Sequence, residues 1–296
     1  MAASTIRGWL KREDMSPAVT IGMPVFNGEQ HIQEAIESVL TQEFEGFELL
    51  ISDNASTDGT KRICQEYALR DSRIRLIVHE ENHGAFWNFK FVASHARGPL
   101  FLWLAHDDFL DPRFLRECVG HLETHPQDVL VCSDFLIVDS DGRQLGVELL
   151  ESIRRNVEWV KRAREFFVYP ISNAYLGVYG LMRTSVCNDA LGDMPEPKYL
   201  SHIEVPILAR LASRGRISSI PLVLRTYRRH LKSLYSSETA VLAAQPRLKR
   251  ALERRIHIAR IRFDSILVLL SSRQPTRVKA TLCWRVLCFY VRHGLR

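Results

Sequence analysis

Strand-like and helix-like segments alternate along the chain from residue 18 to about residue 104. Four short runs are rich in apolar and β-branched residues, which is typical of buried strands, and they cover residues 18–24, 47–52, 74–79 and 100–105. The segments between them place apolar side chains at helical spacing, and they cover residues 29–42, 60–70 and 85–96. Such alternation with short connections predicts an α/β fold with a mostly parallel, doubly wound sheet flanked by helices.

Polar clusters directly follow three of the four predicted strands. They cover residues 24–29, 52–58 and 106–108, and a shorter polar pair, Asn82 and Gly84, follows the third strand. Because ligands of open parallel sheets bind beyond the carboxyl ends of the strands, we expect these clusters to meet at one edge. Their regular placement predicts a ligand site there, although each cluster alone also suits an ordinary turn.

Three polar residues, His106, Asp107 and Asp108, follow the all-apolar fourth strand. Two adjacent carboxylates repel one another unless a cation or a hydrogen-bond donor compensates them. A divalent ion with oxygen ligands, Mg²⁺ or Mn²⁺, would do so while bridging a substrate diphosphate. The alternative is a loop acid that carries little core packing, followed by an N-cap for the next helix.

Asp53 and Asn54 follow the second strand and suit recognition of a nucleobase. A carboxylate accepts a hydrogen bond from an imide N–H or from ribose hydroxyls, and an amide offers both a donor and an acceptor. An Asx turn leading into a capped helix is the alternative. Asn27 and Gly28, after the first strand, likewise suit either a turn or the close approach of a ligand.

These residues resemble a family-2 inverting glycosyltransferase with the A-type nucleotide-sugar-binding fold. Three stretches carry the resemblance, in order and at matching spacing: VTIGMPVFNGEQHIQEAIESVLTQ, FELLISDNASTDGT and NHGAFWNFKFVASHARGPLFLWLAHDDFLDPRFL. They cover roughly residues 18–135, and a weaker similarity continues to about residue 233. The resemblance implies a metal-dependent enzyme that moves a sugar from a nucleoside diphosphate, expected to be UDP, to a hydroxyl of a glycan or lipid-linked acceptor. Bacterial surface polysaccharide assembly is the expected context.

The resemblance also implies roles for individual residues. Residues matching the donor-nucleotide site are Pro24, Phe26, Asn27, Glu29, Asp53, Asn54, Asn82, Gly84 and Asp107. Asp108 matches the metal-binding acid, and His230, in the element TYRRHLKS, would reach the metal or the diphosphate. Glu204, near the start of a predicted helix over residues 201–214, matches the catalytic base. Such a carboxylate would take the proton from the acceptor hydroxyl as it attacks the anomeric carbon.

The chain departs from the family pattern at three positions. Ala105 stands where the family often has a further carboxylate, Asn54 replaces a frequent Asp, and Ile203 stands where an acid often precedes the base. An acid at a helix start is also favoured by the helix dipole alone. If Glu204 has only that role, the base is expected in the preceding loop, at Asp189, Asp193 or Glu196.

Charge is divided unevenly along the chain. The formal net charge is +6, but residues 241–296 hold 13 Lys and Arg against two acids, so the residues before them sum to −5. Residues 276–293 place apolar side chains near one predicted helical face: Val278, Leu282, Val286, Phe289 and Tyr290. A basic amphipathic helix suits an anionic membrane surface. The alternative is that this face packs on the catalytic domain or forms a dimer contact.

We therefore expect four regions: a lead over residues 1–17, a nucleotide-sugar half over 18–135, an acceptor half over 136–240 and the basic helical tail over 241–296. Six cysteines without a Cys-x-x-Cys pair predict buried thiols in a reducing compartment. Neither a secretory signal nor an apolar run of 18 residues is evident. The expected location is the cytoplasm, or peripherally the inner face of the cell membrane.

Other function classes fit the sequence less well. A nucleotidyltransferase normally opens with a basic Gly-rich loop, which MPVFNGEQ lacks, and a dinucleotide-binding dehydrogenase needs Gly-x-Gly-x-x-Gly after the first strand. Nucleic-acid binding through the tail is disfavoured because the chain carries no nucleic-acid motif. A catalytically inactive nucleotide-sugar-binding protein stays an alternative.

Overall fold

The computed structural model describes residues 16–155, 173–192, 194 and 203–229. Within these residues, nine strands form one mixed sheet. The strands are β1 (Val19–Val25), β2 (Phe47–Asp53), β3 (Ile74–Val78), β4 (Leu100–Trp103), β5 (Phe109–Leu110), β6 (Asp128–Val138), β7 (Gln144–Glu148), β8 (Leu181–Arg183) and β9 (Arg216–Arg228). The helices are α1 (Ile32–Leu40), α2 (Thr60–Arg70), α3 (Ala85–Ser94), α4 (Phe114–Thr124), α5 (Glu151–Arg155), α6 (Thr184–Leu191) and α7 (Glu204–Arg214), with a 3₁₀ helix at Asn173–Tyr179.

The sheet has the strand order β3-β2-β1-β4-β8-β6-β9-β5, and β7 pairs with β6. Strands β1 to β4 run parallel, which confirms the predicted α/β architecture. Their register aligns the carboxyl ends, with Val25 opposite Asp53 and Asp53 opposite Val78. The polar segments that follow these strands therefore meet at one edge, as the sequence predicts.

Apolar cores lie on both faces of the sheet. One core packs side chains of α1, α2 and α4 against β1 and β2, and the other packs α3, α6 and α7 against β4 and β6. In α1 the buried residues are Ile32, Ala35, Ile36 and Val39, which is the stripe that its spacing predicts. Because helices cover both faces of the sheet, the sequences of the central strands are continuously apolar.

Strand β1 continues one residue beyond its predicted end, through Pro24. Gly22 accepts a hydrogen bond from Leu104, so its carbonyl faces the β4 side, and Pro24, two residues later, has the same orientation. The pairing with β4 stops at Gly22, while Pro24 pairs with Ser52 of β2. The missing N–H of Pro24 therefore costs no hydrogen bond of the sheet.

Later elements agree in part with the sequence patterns. Asp-Gly is a typical hairpin turn sequence, and Asp141 and Gly142 lie in the turn that joins β6 to β7, where Gly142 has a positive φ of 83°. Helix α7 begins at residue 204 and not at 201, and the short strands β5 and β8 have no clear sequence signal. The sequence pattern also indicates a helix over residues 157–168, and this segment, the lead and the tail lie outside the described residues. None of the helices within the described ranges is long and apolar enough to cross a membrane.

Candidate active site at the carboxyl edge of the sheet

Asp53 ends β2 with a fully buried side chain. Its Oδ1 accepts a hydrogen bond from the Ser56 backbone N–H at 3.1 Å, whereas its Oδ2 is buried and has no hydrogen-bond partner among the described residues. A cavity of about 540 Å³ adjoins it, lined by Asp53, Ala55, Ser56, Lys61, Val78, His79 and Glu80. A buried acceptor without a partner is costly unless a ligand supplies a donor. This oxygen therefore suits an N–H group of a bound molecule.

Asn54, the next residue, is fully engaged with the loop between β3 and α3. Its amide nitrogen donates to Asn82 Oδ1 at 2.9 Å and to the Gly84 carbonyl at 3.2 Å, and its Oδ1 accepts from the His83 N–H at 3.1 Å. Gly84 has a positive φ of 89° at the start of α3. These contacts occupy both amide protons of Asn54, so its side chain holds the loop in place.

The loop after β1 is fastened to the loop after β2. Asn27 has a positive φ of 53°, its N–H donates to Ser56 Oγ at 2.9 Å, and its Oδ1 accepts from the Thr57 N–H at 2.8 Å. Glu29 accepts a hydrogen bond from the Gly59 N–H at 2.9 Å, beside the first turn of α2. The two loops therefore form one braced rim around the Asp53 carboxylate.

Phe26 lies on the same loop with its side chain 43% exposed, whereas Pro24 is buried within β1. An exposed aromatic ring at a rim can pack on the flat face of a base. Phe26 is therefore accessible to a ligand. Asn27 and Glu29 instead stabilise the conformation of the loop through their hydrogen bonds.

His79 follows β3 and packs edge-to-face against Trp87 at 4.9 Å. Ser52 donates its hydroxyl proton to Asn88 Oδ1 at 2.5 Å, so the 2.8 Å contact between Ser52 Oγ and His79 Nε2 needs the proton on Nε2. Burial is the main cause that lowers the pKa of His79, and the nearby His83 lowers it further. The ring is therefore neutral at pH 7 and has one assigned tautomer.

Asp108, the predicted metal-binding acid, lies in the interior with only 2% of its surface exposed. Its Oδ1 accepts from the Arg228 backbone N–H at 3.0 Å, and its Oδ2 lies 3.7 Å from Arg225 Nη2. The expectation of a loop acid with little packing is therefore wrong, because β9 crosses behind the residue. Asp107 is half-buried, and its carbonyl accepts from Arg228 Nε at 3.1 Å.

Arg225 is a fully buried arginine that the sequence gives no reason to select. It donates to the carbonyls of Trp103, at 3.0 Å, and Tyr179, and it lies over the Tyr179 ring at 5.2 Å. Burial lowers the pKa of its guanidinium, and the Asp108 carboxylate opposes that shift. Strand β9 thereby places a buried positive charge beside Asp108.

Glu204 begins α7 and is half-buried. The Tyr179 hydroxyl, 3.4 Å away, donates to Glu204 Oε1. Burial raises the pKa of Tyr179 well above its usual value, and the charges of Glu204 and Asp108 raise it further. Arg225 contacts both Asp108 and the Tyr179 carbonyl, so Glu204 and Asp108 lie in the same part of the molecule. Of the alternative bases, Asp189 is paired with Arg214 on the surface, and Asp193 and Glu196 lie outside the described residues.

Carboxylate oxygens of Asp107 and Asp108 are the hard donors that Mg²⁺ and Mn²⁺ prefer. Among the described residues, no group of three His, Cys, Asp or Glu side chains forms a metal cluster, and His230 lies outside them. Mg²⁺ commonly binds through one or two carboxylates together with substrate phosphates. The donor set at this edge therefore fits a divalent ion that arrives with a diphosphate.

Sequence comparison identifies a matching family model and similar proteins. The model of "Glycosyl transferase family 2" matches residues 20–187. The putative glycosyltransferase EpsE of Bacillus subtilis is 36% identical over 138 residues, which are 46% of this chain and 49% of that protein, so the chain spans about half of EpsE.

Two solved structures share the fold. S. aureus TarS in complex with UDP-GlcNAc has a TM-score of 0.66 at 18% identity, over 93% of this chain and 73% of that one. The mannosyltransferase PcManGT from Pyrobaculum calidifontis, in complex with GDP-Man and Mn²⁺, has a TM-score of 0.55 at 16% identity, over 98% and 92%. With its family-model match across more than half of its length, the chain belongs to glycosyl transferase family 2.

Proposed function

We propose that this protein is a metal-dependent inverting glycosyltransferase that moves a sugar from a nucleoside diphosphate to a hydroxyl of a glycan or lipid-linked acceptor. The observation that carries the proposal is the unpartnered Asp53 Oδ2 beside a cavity, at the sheet edge that also holds Asp107 and Asp108. Family membership supports the reaction class. Bacterial surface polysaccharide assembly is the context that we propose for this reaction.

Uracil is the base that suits Asp53. The imide N3–H of uracil is a single donor, and Asp53 Oδ2 is a single unpartnered acceptor because Oδ1 is already held by the Ser56 N–H. Guanine presents two adjacent donors, N1–H and N2–H, and would leave one of them less well paired. TarS binds UDP-GlcNAc and PcManGT binds GDP-Man, so the fold itself accommodates both bases.

Asp108 is the proposed ligand of the divalent ion, with His230 as a further candidate from the family pattern, and Asp107 is the proposed donor contact beside it. When bound, Mg²⁺ or Mn²⁺ supplies positive charge that stabilises the departing diphosphate. The chain adds a fixed cation of its own, because Arg225 Nη2 lies 3.7 Å from Asp108 Oδ2. That contact orients the Asp108 carboxylate.

Glu204 is the proposed general base. Its carboxylate would take the proton from the acceptor hydroxyl as that oxygen attacks the anomeric carbon, and direct displacement inverts the anomeric centre. Tyr179 orients the base because its hydroxyl donates to Glu204 Oε1 at 3.4 Å. Tyr179 keeps its hydroxyl proton, since burial raises the pKa of Tyr179.

A thermal-shift panel of UDP, GDP, CDP and ADP, each with and without Mn²⁺, tests this proposal. A ligand at about 100 times its Kd stabilises the native state by about 2.7 kcal/mol, so UDP should raise the unfolding midpoint by roughly 5 °C. Asp53→Asn should lose most of this response. The matched control, Asp71→Asn, alters an acid paired with Arg73 at the opposite edge and should keep it.

Two results would contradict the proposal. One is a panel in which no nucleoside diphosphate raises the midpoint. The other is an Asp53→Asn protein that responds to UDP like the unmodified chain. Hydrolysis of UDP-sugars with Mn²⁺ then separates an active transferase from a protein that only binds the donor.

A further inference from the structure

A lysine lines the cavity beside the Asp53 carboxylate. Lys61 lies in the first turn of α2 with an exposed side chain, and the other residues of the cavity wall come from the segments at the ends of β2 and β3. The donor contacts that the sequence predicts do not include this residue. Its ammonium group is a candidate contact for an oxygen atom of the bound nucleotide.

The residue before Lys61 anchors the backbone that carries it. Thr60 is fully buried, its Oγ1 accepts the Gly28 N–H at 2.8 Å, and it donates its own proton to Asp58 Oδ1 at 2.5 Å. These bonds join the first turn of α2 to the loop after β1. Lys61 can therefore adjust to a ligand through its four-carbon side chain, without a change in either loop.

Most of the polar side chains in the cavity wall cannot donate a hydrogen bond to a ligand. The ionised carboxylates of Asp53 and Glu80 only accept, and the Nε2–H of His79 is donated to Ser52 Oγ at 2.8 Å. A carbonyl oxygen of a ligand in this cavity therefore depends on the donors that remain.

Two side chains of the wall supply such donors. The Ser56 hydroxyl oxygen accepts the Asn27 N–H at 2.9 Å, which leaves its own proton for another acceptor. The Lys61 ammonium carries three protons and a full positive charge. A hydrogen bond from a charged donor is stronger than one from a hydroxyl, so Lys61 is the donor expected to affect affinity most.

The order of the strands places Lys61 on the base side of the proposed donor site. Strand β4, which leads to Asp108, lies two positions from β2 and three from β3. At about 4.8 Å per strand, the ends of β2 and β3 are about 10–14 Å from the end of β4. A nucleotide whose diphosphate lies beside Asp108 therefore directs its base toward the cavity that Lys61 lines.

The structure of uracil determines which of its carbonyls faces this side of the cavity. O2 lies beside the ring nitrogen that carries the ribose, whereas O4 lies on the far side of the N3–H. Since the ribose leads back toward β4, O4 faces away from it, toward β3 and α2. Cytosine has an amino group in place of O4, and that group is a donor, which an ammonium cannot pair with.

We propose that Lys61 donates a hydrogen bond to O4 of the donor base and thereby favours uracil over cytosine. The inference rests on the proposed function, in which Asp53 Oδ2 accepts the neighbouring N3–H. A charged donor and an acceptor then contact adjacent positions of the base, whereas cytosine presents an unprotonated N3 beside an amino group, the opposite arrangement. Lys61 is thus a residue that determines specificity, and it takes no part in the chemical step.

Isothermal titration calorimetry of the Lys61→Met protein with Mn²⁺ tests the proposal. Methionine keeps an apolar stem and removes the charge, so the Kd for UDP should rise about tenfold. The Kd values for CDP and for inorganic pyrophosphate, neither of which has O4, should stay nearly unchanged. The matched control is Arg62→Met, because Arg62 is exposed on α2 and paired with Glu66 at 2.7 Å, and this variant should bind all three ligands like the unmodified chain.

Two results would overturn the role of Lys61. One is an unchanged Kd for UDP. The other is an equal rise in the Kd for UDP, CDP and pyrophosphate, which would show that the ammonium attracts the diphosphate and not the base. Failure of the proposed function gives a different result: the unmodified chain would not bind UDP, or the Asp53→Asn protein would bind it normally. Either of these would overturn the role of Lys61 as well.

Discussion

The nucleotide half and the acceptor half of this molecule are held together by different chemistry. In residues 18–135, neighbouring loops are joined by uncharged or backbone hydrogen bonds, such as those that Asn27 and Asn54 make across about 30 residues. The elements of residues 136–229 are instead fastened to the first half by buried pairs between an Arg of the second half and an Asp of the first. Arg225 lies beside Asp108, Arg216 binds Asp128 and Arg154 binds Asp134.

This difference in chemistry predicts which substitutions lower the stability of the protein most. A hydrogen-bonded loop brace costs about 1 kcal/mol when one bond is lost. Breaking a buried ion pair leaves an uncompensated charge and costs about 3–5 kcal/mol. The half that supplies the proposed base and supports Asp108 is therefore the half that substitutions disrupt most. The predictions below test that contrast.

The largest expected effect is that of Asp108→Asn. The substitution removes a proposed metal ligand and also the partner of the buried Arg225, so transfer should fall about a thousandfold or more. The unfolding midpoint should fall as well, because the guanidinium keeps its charge in the interior. Turnover assays and thermal unfolding measure the two effects. Asp111→Asn, three residues later and paired with Arg113, is the control that should retain activity. Near-normal turnover of Asp108→Asn would remove the residue from the metal site.

Glu204→Gln should lower turnover by about two to four orders of magnitude while the UDP-dependent thermal shift persists. The amide keeps the shape of the side chain and can still accept the Tyr179 hydrogen bond, but it cannot take a proton. Asp189→Asn provides the comparison, since this carboxylate is paired with Arg214 on the surface. If turnover of the Gln variant matched that of the Asn variant, Glu204 would be an ordinary acid at a helix start.

The sequence predicts the structure of the first half better than the contacts that the second half makes. The strands and helices of the first half could be read from local periodicity, and the polar ends of β1, β2 and β4 meet as expected because parallel strands share one direction. Arg225 could not be selected, since its partner Asp108 lies 117 residues earlier and only the register of β9 brings them together. The tyrosine that contacts Glu204 belongs to a 3₁₀ helix without a sequence signal. Long-range pairing, and not local propensity, decides these positions.

A more modest effect should distinguish the acid sensitivity of a pair that joins the two halves, Asp128–Arg216, from that of a pair within the first half, Asp71–Arg73. Burial alone would raise the pKa of Asp128, but hydrogen bonds from His121, Arg216 and Ser218 outweigh it and hold that pKa well below its usual range. A carboxyl with a lowered pKa stabilises the fold above its unfolded pKa of 3.8, and that stability is lost as the pH falls through the folded pKa. Asp128→Asn should therefore cost about 2–3 kcal/mol at pH 7, and the difference in stability between the variant and the unmodified protein should begin to shrink as the pH falls below about 4.

Chemical denaturation between pH 3 and pH 7 measures this convergence. Asp71→Asn is the counterpart whose ion pair lies wholly within the first half, because Arg73 lowers the pKa of Asp71 from two residues away and at a more exposed site. Its cost at pH 7 should be within about 1 kcal/mol. A larger cost for Asp71→Asn than for Asp128→Asn would contradict the proposed contrast between the halves.

The smallest expected effect is a difference in stability between glycine substitutions at two residues that share a backbone conformation. Asn27 and Ala55 both have positive φ, 53° and 61°, at the braced rim. An L-residue in this region costs about 1–2 kcal/mol, which glycine avoids at the expense of about 0.4–1 kcal/mol of unfolded-state entropy. Ala55→Gly should thus stabilise the fold by about 0.5 kcal/mol or slightly more. Asn27→Gly should destabilise it by about 1 kcal/mol, because the Asn27 side chain accepts the Thr57 N–H and Ala55 has no such bond to lose. Denaturation midpoints of the two variants measure this difference, and a stabilising Asn27→Gly would mean that the brace contributes nothing to the stability of the first half.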